Sequence, residues 1–312
     1  TEQVFMGWDD QIRAHWARTP WALGRDFLVA YRGMVGGVGA GRAWALSRQA
    51  FLTGVLPALF MLLGAVVAVL GGGLALWLGA WPPVAALLGV GVLAALLAWG
   101  AHAGLFWLLR IFAFVMRLGR APLPAMQDRT RQWADTIVAM QTADPVDEVL
   151  LVGHSVGTLV MIDTVDALLT DARWLALQAG RPTALVTLGQ CLPFVALMPA
   201  ATAMRAALQR LSHSTRLLWW DVTALIDPLC FYGVHPLAGT GVSHAQATQP
   251  VPHHPRFFQM YEPARWAGIR RDKLHTHFLY LMTPDRAGNF QPMDVLYGPR
   301  SLEAQVARRG AA

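Results

Sequence analysis

From Gln49 to Leu109 the sequence has no aspartate, glutamate, lysine or arginine, and His102 is the only residue in that stretch able to ionise. A bilayer core takes roughly 20 apolar residues per helix, so the run is long enough for two crossings. The competing reading is a helical hairpin buried in a soluble protein, but soluble cores seldom use so long a charge-free run. A signal peptide fits worse, because the run starts far into the chain, is double and lacks a cleavage region. Cysteine is scarce as well: Cys191 and Cys230 are the only two, expected as free thiols in a reducing compartment. Neither HExxH nor a Cys/His ligand spacing occurs, so no metal and no cofactor is expected. Without a basic recognition motif, nucleic acid is not an expected partner. The chain has no internal repeat, and no low-complexity segment beyond the apolar run.

What remains is 312 residues, room for one large domain or two ordinary ones, with 55 % hydrophobic and 14 % charged residues. The segment "WLGAWPPVAALL" divides the apolar run, since Pro82 and Pro83 cannot sit inside a helix and the flanking tryptophans suit a membrane interface. Helices are predicted near 51–78 and 84–109. Arginines lie on both outer flanks, among them Arg42, Arg48, Arg110 and Arg117, while the turn between the helices carries no charge. The positive-inside rule then puts both ends, and everything after residue 118, in the cytoplasm. The net charge of +6 reads largely as a topological, lipid-facing signal. Three segments follow: 1–48, a hairpin at 49–117, and 118–312.

Residues 1–48 hold a Trp- and Arg-rich segment that reads either as an interfacial helix on a membrane surface or as a helix packed on the soluble domain, followed by a glycine-rich bend at "GMVGGVGAG". After the hairpin, Met126, Trp133, Ile137 and Met140 recur at helical spacing and predict an amphipathic helix. Then "DEVLLVGHSVG" gives a strand-length apolar run, and "TLVMIDTVDALL" reads as helix. "TALVTLG" and "TRLLWWDV" are further buried-strand candidates around the helical "AATAMRAALQRL", and "PRFFQMY" is a candidate last strand. Strands alternating with helices predict an α/β fold with a mainly parallel sheet.

Gly153-His154-Ser155-Val156-Gly157 matches GxSxG with a strand before it and a helix after it. A serine on so sharp a turn projects its hydroxyl, the glycines Gly153 and Gly157 keep neighbouring side chains away, and the Val156 amide at the helix start is a candidate oxyanion donor. The bland reading is a strand-to-helix turn that merely favours small residues.

A nucleophilic serine needs a base and an acid, here in the order Ser, Asp or Glu, His. Asp221 adjoins the apolar strand; Asp227 stands in a loop beyond the strand end, before Pro228, and is the better placed. As plain structure, Asp221 reads as a strand-end carboxylate and Asp227 as a helix cap. "DKLHTHFLYLM" offers His275 and His277, each with an aromatic residue three positions on, Phe278 or Tyr280. Either also reads as a part-buried histidine satisfied by backbone groups. His235, His244, His253 and His254 lie in a Pro- and Gly-rich stretch and read as loop histidines, and Cys191 reads as a small apolar residue at a strand end.

With these residues in view, 118–312 resembles the α/β-hydrolase superfamily. More closely, "VLLVGHSVGTLV", "TLGQCLPF" and "HFLYLM" are similar to bacterial membrane-anchored hydrolase-like proteins with a two-span hairpin ahead of the elbow. The resemblance implies Ser155 as nucleophile, Asp227 as acid and His277 as base, with esterase-type chemistry in the bacterial inner membrane but no particular substrate; the membrane tether itself is what favours a lipid or acyl ester, since a substrate dissolved in the bilayer is concentrated there. One part of the superfamily pattern is missing: several strands ahead of the elbow, one followed by an HGGG-like loop that gives the second oxyanion amide. The expectation is that either the sheet is reduced or a segment preceding Thr1 carries them.

Overall fold

The computed structural model describes residues 2–121 and 123–309, the last of these by its backbone alone. Two helices, α1 (Asp9–Ala14) and α2 (Pro20–Arg32), open the chain. The Thr19 hydroxyl caps α2 by accepting from the Ala22 N–H at 3.2 Å, and Pro20 sits where a missing N–H costs nothing. The glycine-rich stretch expected as a bend is instead wound into a π-helix, Gly33–Gly39, that runs on into α3 (Ala40–Leu46). Close approach explains one of these glycines, since a Cβ on Gly33 would lie 2.7 Å from the Met116 side chain.

The apolar run forms α4 (Arg48–Trp77) and α5 (Pro82–His102), joined by a tight turn through Gly79 at φ +85°. Pro82 and Pro83 occupy the first turn of α5. Both helices are long and apolar enough to cross a membrane, and only 11 % of each apolar window is buried within the protein, so a hairpin enclosed in a soluble core is not what forms. Their mutual contact uses small residues one turn apart: a Cβ on Gly72 would sit 3.2 Å from the Ala85 carbonyl, and one on Gly89 3.0 Å from that of Ala68. Backbones this close are characteristic of helices packed through small-xxx-small stripes.

At 30 residues α4 is about 45 Å long, against about 30 Å for a bilayer core. Its first turns are held by the rest of the protein. Gly54 packs on Met34 and Phe112, and the Tyr31 hydroxyl is inserted into the helix ladder, accepting from the Ala58 N–H at 2.9 Å and donating to the Gly54 carbonyl at 3.3 Å. The second long helix ends at His102 rather than at 109. The chain reverses at Gly104, φ +77°, and begins α6 (Leu105–Arg120). Hydropathy cannot separate these helices because α6 is apolar too, but its apolar residues Leu109, Phe112, Ala113 and Met116 face the protein core. Between the two readings of the N-terminal segment, α2 packs on α6 through Ala30 and an ion pair of the buried Asp26 with the part-buried Arg117, while Trp21 and Leu28 remain exposed.

The amphipathic helix forms as α7 (Pro124–Ala143), with Met126, Trp133 and Ile137 buried; Met140, expected on the same face, is exposed. The sheet then begins. Strand β1 (Leu150–His154) leads to α8 (Gly157–Thr170) and α9 (Ala172–Leu177). β2 (Thr183–Leu188) leads to α10 (Leu192–Ala196) and α11 (Thr202–Ser212), and β3 (Leu217–Val222) passes through a long loop to β4 (Val251–His253). The four strands are parallel in the order β1-β2-β3-β4. "PRFFQMY" is not the last strand: Pro255 ends the extended segment, β4 lies just before it, and Phe257–Met260 is a short helix, α12.

Both faces of the sheet are covered, which is why its strands read as continuous apolar runs. Leu185, Leu217 and Trp219 point to the core shared with α6, α7, α8 and α11, while Val186, Leu188, Trp220 and Val222 point to a second core with Phe257, Tyr280 and Phe290. That second layer is built from α12 and the C-terminal helices α13 (Pro263–Ile269), α14 (Lys273–Phe278), α15 (Pro292–Tyr297) and α16 (Leu302–Arg309). The carboxyl ends of β1, β2 and β3 thus lie side by side, the place where ligands bind in open parallel sheets.

Candidate active site

The elbow is built by backbone. Ser155 has φ +54°, a region that costs a non-glycine residue about 1–3 kcal/mol and persists only where its surroundings hold it. Here its N–H donates to the Leu188 carbonyl at 2.9 Å, extending the β1–β2 ladder past the strand end, and its carbonyl accepts from the Thr158 N–H and hydroxyl at 3.0 and 2.6 Å. Gly153 is needed for space, since a Cβ there would lie 2.9 Å from Met161 and 3.0 Å from the Gly157 carbonyl. Gly157 is not, because a Cβ there meets nothing within 4 Å; the expectation that both glycines clear the turn holds for the first alone. The Val156 N–H stands at the start of α8 with no backbone acceptor among the described residues.

The structure brings Asp227 and His277 together. Both carboxylate oxygens lie 2.9 Å from His277 Nδ1, and the pair is almost fully buried, 0 % and 2 % exposed. Asp227 accepts further hydrogen bonds from the Leu229 N–H at 2.9 Å and the Tyr280 hydroxyl at 3.0 Å. Tyr280 in turn accepts from the Ala224 N–H at 2.9 Å, so one hydroxyl ties the start of the acid's loop to its carboxylate. Burial pushes the Tyr280 phenol well above its ordinary pKa and keeps it a donor. Gly189, φ +56°, leaves room for this group: a Cβ there would sit 2.9 Å from both Asp227 Oδ2 and the Tyr280 ring.

His277 is set by α14, whose first turn is capped by Asp272 accepting from the His275 N–H at 2.9 Å. The elbow holds it too. His154, next to Ser155, contacts the His277 carbonyl through Nε2 at 2.8 Å. Burial first, then the neighbouring His277, lowers the His154 pKa to about 4, so at neutral pH its ring is uncharged and Nε2–H donates. The Ser155 hydroxyl makes no hydrogen bond among the described residues, His277 included.

The alternative residues lie elsewhere. Asp221 is buried at the end of β3, where it accepts from the Thr187 hydroxyl at 2.6 Å; burial raises its pKa to about 7, and it touches neither histidine. His275 Nε2 is buried with no hydrogen-bond partner among the described residues. His235 stacks on His244 at 4.5 Å, and His254 contacts the Thr223 carbonyl. His253 packs on Trp220. Among the described residues no three His, Cys, Asp or Glu side chains converge as a metal site. Both cysteines are free and buried; burial pushes Cys191 up to about 12 and Cys230 well above its ordinary value, so neither is a thiolate nucleophile.

The supporting residues Gly189 and Tyr280, and the role of His154 as a clamp, were not deducible as such from the sequence. The one available signal was Tyr280 three positions after His277, which on a helix puts both on one face. Comparison with protein-family models, curated proteins and solved structures finds no match for this chain.

Proposed function

We propose that this chain is a membrane-anchored serine hydrolase of the α/β-hydrolase type, cleaving an ester or thioester through an acyl-enzyme on Ser155. The observation that carries the reading is the buried Asp227–His277 contact at 2.9 Å, placed at the same sheet edge as a serine held at φ +54° on a strand-to-helix turn. Ser155 Oγ attacks the substrate carbonyl while His277 Nε2 takes the hydroxyl proton. Asp227 holds the Nδ1–H tautomer and stabilises the imidazolium that forms. The Val156 N–H, at the positive end of the α8 dipole, hydrogen-bonds the oxyanion. Collapse expels the alcohol or thiol, which leaves with the proton from His277, and water repeats the sequence on the acyl-enzyme.

In this reading α4 and α5 span the bacterial inner membrane with the catalytic domain in the cytoplasm. The Thr53 hydroxyl of α4 donates to the Pro228 carbonyl at 3.0 Å, one residue from the acid, which favours a lipid or acyl-chain substrate presented from the bilayer. The test is turnover of acyl esters and thioesters by the full chain in detergent. Ser155→Ala is expected to abolish it, and turnover that survives the substitution refutes the assignment.

A second reading, a hydrolase scaffold kept for binding or assembly, is favoured by two observations. Ser155 and His277 are not hydrogen-bonded, and β1 is an edge strand with no strand beyond it among the described residues to supply a second oxyanion amide. Under that reading the wild-type chain turns over no ester at all.

A further inference from the structure

A cavity of about 1140 Å³ opens beside β4, and none of Ser155, Asp227 and His277 lines it. Its wall includes Arg256, Arg300 and Arg308, with Asp294 the single carboxylate among the described lining residues. None of the three guanidinium groups has an ion pair or hydrogen bond among the described residues, and all three line the same cavity. Three unneutralised cations around one concavity reinforce one another's field, and the planar guanidinium fork matches phosphate oxygens two at a time.

The cavity also has a position relative to the apolar hairpin. Gln49, in the first turn of α4, lines it, and so do Leu225 and Phe258, which are 62 % and 58 % exposed. A charged pocket with an apolar lip beside the root of a long apolar helix suits a ligand that is anionic at one end and oily at the other.

We infer that this cavity is a binding site for a phosphate-bearing group, held by Arg256, Arg300 and Arg308. The site needs none of the Ser155 chemistry. Its two sources are the headgroup of an anionic phospholipid reaching in past Leu225 and Phe258, and a soluble phosphate ester.

The test uses the full chain carrying Ser155→Ala in a nonionic detergent, so that loss of hydrolysis has no bearing on the outcome. Isothermal titration calorimetry is run with dihexanoyl phosphatidylglycerol and separately with glycerol 3-phosphate, at about 0.05 M and 0.5 M salt. Saturable binding is expected, weakened by salt. Replacing all three arginines by glutamine weakens it at least about tenfold, replacement by lysine less, because charge is kept and only the fork is lost. Arg270→Gln with Arg271→Gln, outside the cavity, leaves it unchanged. Binding of the lipid alone identifies a headgroup site, and binding of both identifies a site for the phosphate group itself. If neither binds, or if the glutamine variant binds as tightly as its parent while melting at the same temperature, the inference is overturned.

Discussion

Asp227→Asn separates an acid that works on His277 from a carboxylate that merely fills a buried site. The wild-type carboxylate accepts from three donors: Leu229 N–H on Oδ1, the Tyr280 hydroxyl on Oδ2, and His277 Nδ1 on both. An amide keeps one acceptor oxygen. The Leu229 N–H cannot turn round, so the oxygen stays on that side and the NH2 faces Tyr280, whose hydroxyl rotates to accept. Folding is therefore largely preserved, at a cost of about 1–3 kcal/mol for the weakened buried contacts. Catalysis is not preserved, because the negative charge that favours an imidazolium is gone and the wrong tautomer becomes accessible. In triads this loss is worth about 10⁴ in turnover, or roughly 5.5 kcal/mol. Acyl-ester hydrolysis and thermal melting of the same preparation read the two effects separately. Asp221→Asn, an equally buried carboxyl with no histidine contact, is the control and is expected to keep turnover within a few-fold. Turnover by Asp227→Asn within about threefold of wild type, or its loss in Asp221→Asn alone, refutes the assignment of the acid.

Asp221 also predicts a pH dependence of stability. Its pKa in the folded state is raised to about 7 from the usual 3.8, so the native state holds a proton that the unfolded chain releases. Its contribution is complete below about pH 4 and is lost as pH rises to about 7, a change on the order of a few kcal/mol; melting curves of Asp221→Asn against wild type between those values should show the slope removed. Gly153→Ala is expected to disable the elbow through contact with Met161 and the Gly157 carbonyl, whereas Gly157→Ala, with open space at its Cβ, should stabilise α8 by up to about 1 kcal/mol and retain turnover. Equal loss in both would contradict the packing described for the turn. Tyr31→Phe leaves the Ala58 N–H and the Gly54 carbonyl without their bridge, and a loss of about 1–3 kcal/mol is expected in chemical denaturation; an unchanged midpoint would show that the helix closes its own bond.

Strands β1, β2 and β3, the elbow and the two long apolar helices were legible because each rests on a local pattern: buried runs of strand length, glycines around one serine, and a charge-free stretch broken by Pro82 and Pro83. Boundaries that depend on what a residue faces were not. Hydropathy carried the second long helix through Gly104 into α6, since residues facing lipid and residues facing core are alike in composition. Spacing placed Met140 on the buried face of α7 and read the aromatics of "PRFFQMY" as strand, where the chain had already left the sheet. At the site, Asp227 and His277 are 50 residues apart and meet only through the loop after β3 and the helix α14. Sequence order ranked Asp227 above Asp221, but the choice of His277 over His275 came from the family resemblance, and the contact itself is a fact of the fold. Tyr280, Gly189 and His154 serve that contact, and their roles appear only once it is formed.

The most direct measurement is the mass of the intact chain after treatment with a fluorophosphonate, followed by mapping of the modified peptide. A reactive serine should gain one phosphonyl group, located on Ser155 within the peptide that contains Gly153 to Gly157. The adduct should vanish in Ser155→Ala and form much more slowly in His277→Ala and Asp227→Asn. An unmodified wild-type chain, under conditions where a control serine hydrolase is fully labelled, would contradict the account.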